Sequence, residues 1–93
     1  MTMQSKPRFP LGTLVATPNA IDSIPEADIK ASLSRHITGD WGDLDEEDLA
    51  ANDAALIDGT RLFSAYISQN GVRLWIITEA DRSSTCVLLP EDY

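Results

Sequence analysis

The chain has 93 residues, 43% of them apolar and 24% charged, and a formal net charge of -8, which is material for one small domain and excludes two. No apolar run reaches the roughly 18 to 20 residues of a membrane span and residues 1–10 lack a signal-peptide core, so the expectation is a cytoplasmic protein. A single cysteine, Cys86, and a single histidine, His36, supply neither an internal disulfide nor a Cys/His zinc site, and no metal or cofactor is expected.

Residues 1–8 mix polar side chains with Lys6, Pro7 and Arg8 without any period and read as a flexible tail, leaving a single α+β domain over 9–93. Thr13, Leu14 and Val15 suit a short strand within 11–16. Thr17-Pro18 is a helix start, with the hydroxyl at the cap and proline at the first helical position, and predicts a short helix over 18–23. Ser23 and Pro25 repeat the signal, and Ile29, Leu33 and Ile37 at four-residue spacing place a helix over 25–36. Gly39 and Gly42 around Asp40 and Trp41 interrupt it with a compact turn.

Another helix is expected over 46–57, capped by Asp43 or Asp45, with carboxylates in its first turn where the helix dipole favours them. Its apolar stripe reads as Leu49, Ala50, Asp53 or Ala54, Leu56 and Ile57, and Gly59 terminates it. Residues 61–68 and 72–78 flank Asn70-Gly71, the strongest short hairpin signal. With Asn70 and Gly71 as the loop, Ile67 faces Leu74, Ala65 faces Ile76 and Phe63 faces Thr78 on the core side, with Arg61 and Arg73 on that parity near the strand ends. Tyr66 then faces Trp75 and Ser64 faces Ile77 on a semi-polar, aromatic side. Thr85 to Leu89 supplies a further strand closed by Pro90. The expected fold is therefore α+β: a short N-terminal strand and two helices, then a three-stranded antiparallel β-meander.

Charge is concentrated in one window. Asp40, Asp43, Asp45, Glu46, Glu47, Asp48, Asp53 and Asp58 fall between 40 and 58 without one Lys or Arg, while acids and bases elsewhere cancel. A window of this kind repels phosphate and disfavours direct DNA binding. It suits a basic protein surface, for which Asp40, Trp41, Asp43, Asp45, Glu46, Glu47, Asp48 and Asp53 are the candidate contacts. The same acids equally suit a solvated helix face. Their spacing lacks the ligand pattern and central glycine of a calcium loop.

His36 is the only side chain whose ordinary pKa lies near neutrality, and with Arg61, Ser64, Tyr66 and Arg82 it makes the alternative constellation, a metal-independent phosphodiester-cleaving site. Read structurally, His36 is a helix C-terminal residue placed well for the dipole. Trp41, Tyr66 and Trp75 form a candidate stacking platform or simply core and hairpin pairs.

The segments His36-Ile37-Thr38-Gly39-Asp40-Trp41-Gly42 and Thr78-Glu79-Ala80-Asp81-Arg82, with Asp48, Asn52, Arg61, Ser64, Tyr66 and the ending Leu88-Leu89-Pro90 to Tyr93, carry a resemblance to small proteins of bacterial plasmids and integrative elements. Members of that group are labelled plasmid-related protein or type I restriction-modification subunit. The 93 residues do not accommodate a methyltransferase domain, so what the resemblance implies is a mobile-element setting. In that setting the expected function is an acidic accessory protein, an anti-defence or DNA-mimic inhibitor, that binds a host nucleic-acid-handling or defence complex. A ribonuclease-like enzyme, similar in layout to barnase and RelE-type ribonucleases, is one alternative. A small domain that forms a homodimer across an edge strand is another.

Overall fold

The computed structural model describes residues 7–93; residues 1–6, and with them most of the expected tail, lie outside the described residues. The elements in chain order are β1 (Thr13–Ala16), α1 (Pro18–Ser23), α2 (Glu26–Ile37), α3 (Glu46–Asp58), β2 (Leu62–Ile67), β3 (Arg73–Thr78), β4 (Ser84–Leu88) and a closing 3-10 turn, Pro90–Asp92. Local chemistry sets the helix ends. The Thr17 hydroxyl accepts from the Ala20 amide at 3.1 Å ahead of Pro18. Asp45 accepts from the Asp48 amide at 2.8 Å, and Gly59 ends α3 in the left-handed region.

The architecture is α+β, but the sheet is not the expected three-stranded meander. Four strands lie in the order β1-β4-β3-β2, and the sheet is mixed because β1 joins β4 in parallel. No local pattern pairs the N-terminal strand, because its partner stands some 70 positions downstream.

The hairpin register also differs from expectation. Ile67 pairs with Arg73, Tyr66 with Leu74, Ser64 with Ile76 and Leu62 with Thr78. The loop is wider than Asn70-Gly71: the Ser68 amide donates to the Val72 carbonyl at 2.9 Å, and the Val72 amide donates to the Ser68 hydroxyl at 3.1 Å. Tertiary contacts hold it open. The Gln69 amide donates to Asp28 at 3.0 Å, and the Asn70 side chain donates to the Ser23 carbonyl at 3.0 Å. A one-residue slip of one strand against the other inverts the face of every residue on β2. Leu62, Ser64 and Tyr66 therefore point to the helices, whereas Phe63, Ala65 and Ile67 point away, with Arg61 and Arg73 exposed at the strand ends.

All three helices pack on one face of the sheet. Ala20 and Ile24 of α1, with Ile29 and Leu33 of α2, meet Tyr66, Leu74, Ile76 and Val87. Ala55, Leu49 and Leu56 of α3 gather with Phe9, Trp41 and Leu62. The buried stripe of α3 thus runs Leu49, Asn52, Ala55, Leu56 and leaves Ile57 87% exposed, because the strand it meets is read by the Asn52 amide as well as by apolar groups. That side chain donates to the Phe63 carbonyl at 2.6 Å and accepts from the Phe63 amide at 3.0 Å, completing hydrogen bonds that a fifth strand would otherwise make. Among the described residues no α-helix covers the opposite face. There Phe63, Trp75, Ile77, Tyr93 and Arg61 line a shallow cavity of about 240 Å³.

Candidate functional site

His36 sits where the stripe of α2 reaches the middle of the sheet. It is fully buried, with Asp28 and Ser32 on the same stripe. Its Nδ1 lies 2.5 Å from the Ser64 hydroxyl and its Nε2 lies 2.9 Å from that of Thr78, and Thr78 lies 2.8 Å from Thr85. Thr85 donates to the Leu11 carbonyl at 2.8 Å, which fixes the direction of the chain because a carbonyl only accepts. Thr85 then accepts from Thr78, Thr78 accepts from His36 Nε2–H, and Nδ1 accepts from Ser64. Every member is satisfied by the neutral, Nε2-protonated tautomer.

Burial, reinforced by the positive charge of Arg82, lowers the His36 pKa to about 4. Phe9 and Trp41 close the ring in edge-on contacts with centroids at 5.2 and 5.6 Å. A neutral imidazole walled from solvent, with both nitrogens engaged, orders the core and has no face open to a substrate.

The other members of the sequence-derived constellation do not gather around it in an open cleft. Ser64 touches His36, but it is equally buried. The Tyr66 hydroxyl donates to the Asp40 carbonyl at 2.6 Å, and burial pushes its pKa up to about 12. Arg61 lies on the uncovered face, 3.5 Å from Glu79 and donating to the Tyr93 hydroxyl at 3.1 Å. Arg82 turns its guanidinium to main-chain carbonyls: Nη1 donates to Thr60 at 2.6 Å, Glu79 at 3.1 Å and Ala80 at 3.2 Å, and Nη2 to Ala55 at 3.0 Å. Arg82 thereby fastens α3 to the turn between β3 and β4.

The His-x-x-Gly-Asp-Trp-Gly segment is likewise architectural. Asp40 accepts from Arg35 at 2.7 and 3.1 Å and from the Gly42 amide at 3.2 Å, and the paired Arg35 holds its carboxyl below the usual range. Trp41 is in the core, not on the surface, and its indole N–H donates to Asp53 at 3.0 Å. Ala65 donates to the Trp41 carbonyl at 3.2 Å and accepts from the Asp43 amide at 2.7 Å, so residues 41–43 strap the free edge of β2. The expected platform of Trp41, Tyr66 and Trp75 is therefore split between the two faces of the sheet. Trp75 instead meets Phe63 and Tyr93, with centroids at 5.0 and 5.8 Å. Cys86 is half-buried, and burial raises its thiol pKa.

The acids of 40–58 all remain exposed. Asp40 pairs with Arg35, and Asp43 approaches Arg73 at 3.5 Å. Among the described residues, no Lys or Arg lies within 4.0 Å of Asp45, Glu46, Glu47, Asp48, Asp53 or Asp58. They spread around the solvent side of α3 from its first turn to its last. Asp45 serves the helix as its cap and Asp53 serves Trp41, so Glu46, Glu47, Asp48 and Asp58 are the carboxylates with no internal task. Among the described residues no cluster of His, Cys, Asp or Glu has metal-holding geometry, and no helix is long and apolar enough to cross a membrane. Comparisons with models of protein families, with curated proteins and with solved structures find no match.

Proposed function

We propose that the chain is a binding protein without catalysis of its own, which docks a basic protein surface through the acidic segment 40–58 as an accessory or anti-defence factor of a bacterial mobile element. The observation that carries the reading is the set of exposed carboxylates on α3, Glu46, Glu47, Asp48 and Asp58, which among the described residues have no Lys or Arg within 4.0 Å. Unpaired carboxylates on a rigid helix present closely spaced negative charge, which speeds encounter with an Arg- or Lys-rich face and orients it. Asp53, held by Trp41, and Asp43 and Asp40, held by arginines, extend that surface toward the turn. The mobile-element setting comes from the resemblance of the 36–42 and 78–82 segments.

The test is the triple reversal Glu46→Lys, Glu47→Lys, Asp48→Lys. Tagged wild-type protein should retain basic, nucleic-acid-handling proteins from a bacterial lysate, and duplex DNA should compete with it. The variant should keep its circular dichroism and lose that retention. Equal retention by the two proteins overturns the proposal.

A further inference from the structure

The two edges of the sheet are treated differently. On β2, Asn52 satisfies Phe63 and the 41–43 strap satisfies Ala65. On β1, Thr13 donates to Ser83 and the following Thr17 donates to Val87, both at 2.9 Å, so the alternation of a strand turns the amides and carbonyls of Leu14 and Ala16 outward. Among the described residues neither main-chain group has a hydrogen-bond partner. Leu14 is 50% exposed on the helix side of the sheet, Val15 46% exposed on the uncovered side, and Ile21 of the adjoining α1 60% exposed. Monomeric proteins guard such an edge with charge, proline or a bulge, and β1 has none of these.

We infer that β1 pairs antiparallel with β1 of a second copy about a two-fold axis through Val15, joining two four-stranded sheets into one. An open edge accepts an extended strand, and two features on this one favour the chain itself. The outward groups are self-complementary: Leu14 of each copy faces Ala16 of the other as a hydrogen-bonded pair, and the two Val15 side chains meet on the axis. Charge is also distributed to permit it. Asp22 is the only ionisable side chain between 13 and 23, whereas the acidic segment lies past β2, at the far edge of the sheet. Pairing through β1 carries the two acidic segments to opposite ends, where their repulsion is weakest. The dimer does not depend on what the acidic segment binds.

Sedimentation of the full chain should show a dimer that dissociates on dilution. In hydrogen exchange at high concentration, the Leu14 and Ala16 amides should slow by about tenfold or more relative to the dilute protein, while the already bonded Val15 amide changes less. Val15→Lys should be monomeric with unchanged circular dichroism, and Ile67→Lys, on the other edge strand, should still dimerise. Should Val15→Lys fail to fold, exchange in the unaltered chain decides alone. A chain monomeric at every concentration, Leu14 and Ala16 amides indifferent to concentration, or a dimer broken by Ile67→Lys and not by Val15→Lys overturns the inference. Protection of those two amides only on adding a foreign extended peptide also overturns it, and assigns the edge to another protein.

Discussion

His36 Nε2 and the Thr78 hydroxyl lie 2.9 Å apart in the middle of the core, and the proton between them belongs to the histidine. Protonating the other nitrogen would require Ser64 to surrender the bond it donates, so the folded state resists the imidazolium. The His36 pKa is near 4 against an ordinary 6.5, so the unfolded chain takes up a proton over a range in which the folded chain does not. The stability this group contributes is complete above pH 6.5 and is withdrawn as pH falls to about 4. The loss over that window amounts to roughly 3 kcal/mol. Urea unfolding at pH 7 and at pH 4.5 checks it: the wild type should weaken steeply, and His36→Gln, already less stable at pH 7, should weaken much less. Equal pH dependence in the two proteins would remove His36 as the cause.

Arg82 ties the last turn of α3 to the turn between β3 and β4. Arg82→Ala removes donors to four carbonyls at once, including that of Ala55, and should cost about 2 kcal/mol. Arg82→Lys should restore less than half of this, because an ammonium cannot span the positions a planar guanidinium reaches. Chemical denaturation of the three proteins measures both effects. An alanine variant as stable as the wild type would return Arg82 to the pool of residues free for another role.

Gly42 approaches the edge of β2 so closely that a Cβ there would run into the Ala65 carbonyl and the Tyr66 ring, and its φ is 79°. Gly59 has a similar φ of 74° with open space around it. Gly59→Ala should cost about 1 kcal/mol from backbone strain alone, and Gly42→Ala at least twice that, since the strap must also move. Thermal unfolding of the two variants side by side separates conformational strain from collision.

Much of the fold was legible in local chemistry. Thr17-Pro18, Asp45 and Gly59 mark helix ends because capping acts over three or four residues, within reach of a sequence pattern. The hairpin was legible as a hairpin, but its register was not. Asn70-Gly71 favours a two-residue loop in isolation, and the contacts of Gln69 and Asn70 with Asp28 and Ser23 favour the wider one. That single displacement put Ser64 and Tyr66 beside the helices. His36 illustrates the same limit. Its place near the C-terminal end of α2 suits a dipole-favoured residue, but only the sheet reveals hydroxyls from Ser64 and Thr78 waiting on both sides of the ring. The exposure of the 40–58 acids, by contrast, follows directly from their density, because unpaired carboxylates are costly to bury.

The parallel pairing of β1 with β4 bears on how the chain reaches its fold as well as on its shape. On a ribosome, β1 is made well before the strand it pairs with, and it has no strand neighbour until Ser84–Leu88 have been synthesised. Asp92, which accepts from Thr17 at 2.6 Å and Asn19 at 2.7 Å, secures the junction later still. The β2–β3 hairpin and α3 can associate early through near contacts, but closure of the sheet must bear the entropy of the longest loop in the domain. The pairing of β1 with β4 therefore acts as the final latch of folding, and a nascent chain stopped short of residue 84 carries Leu14 and Val15 with no strand to receive them.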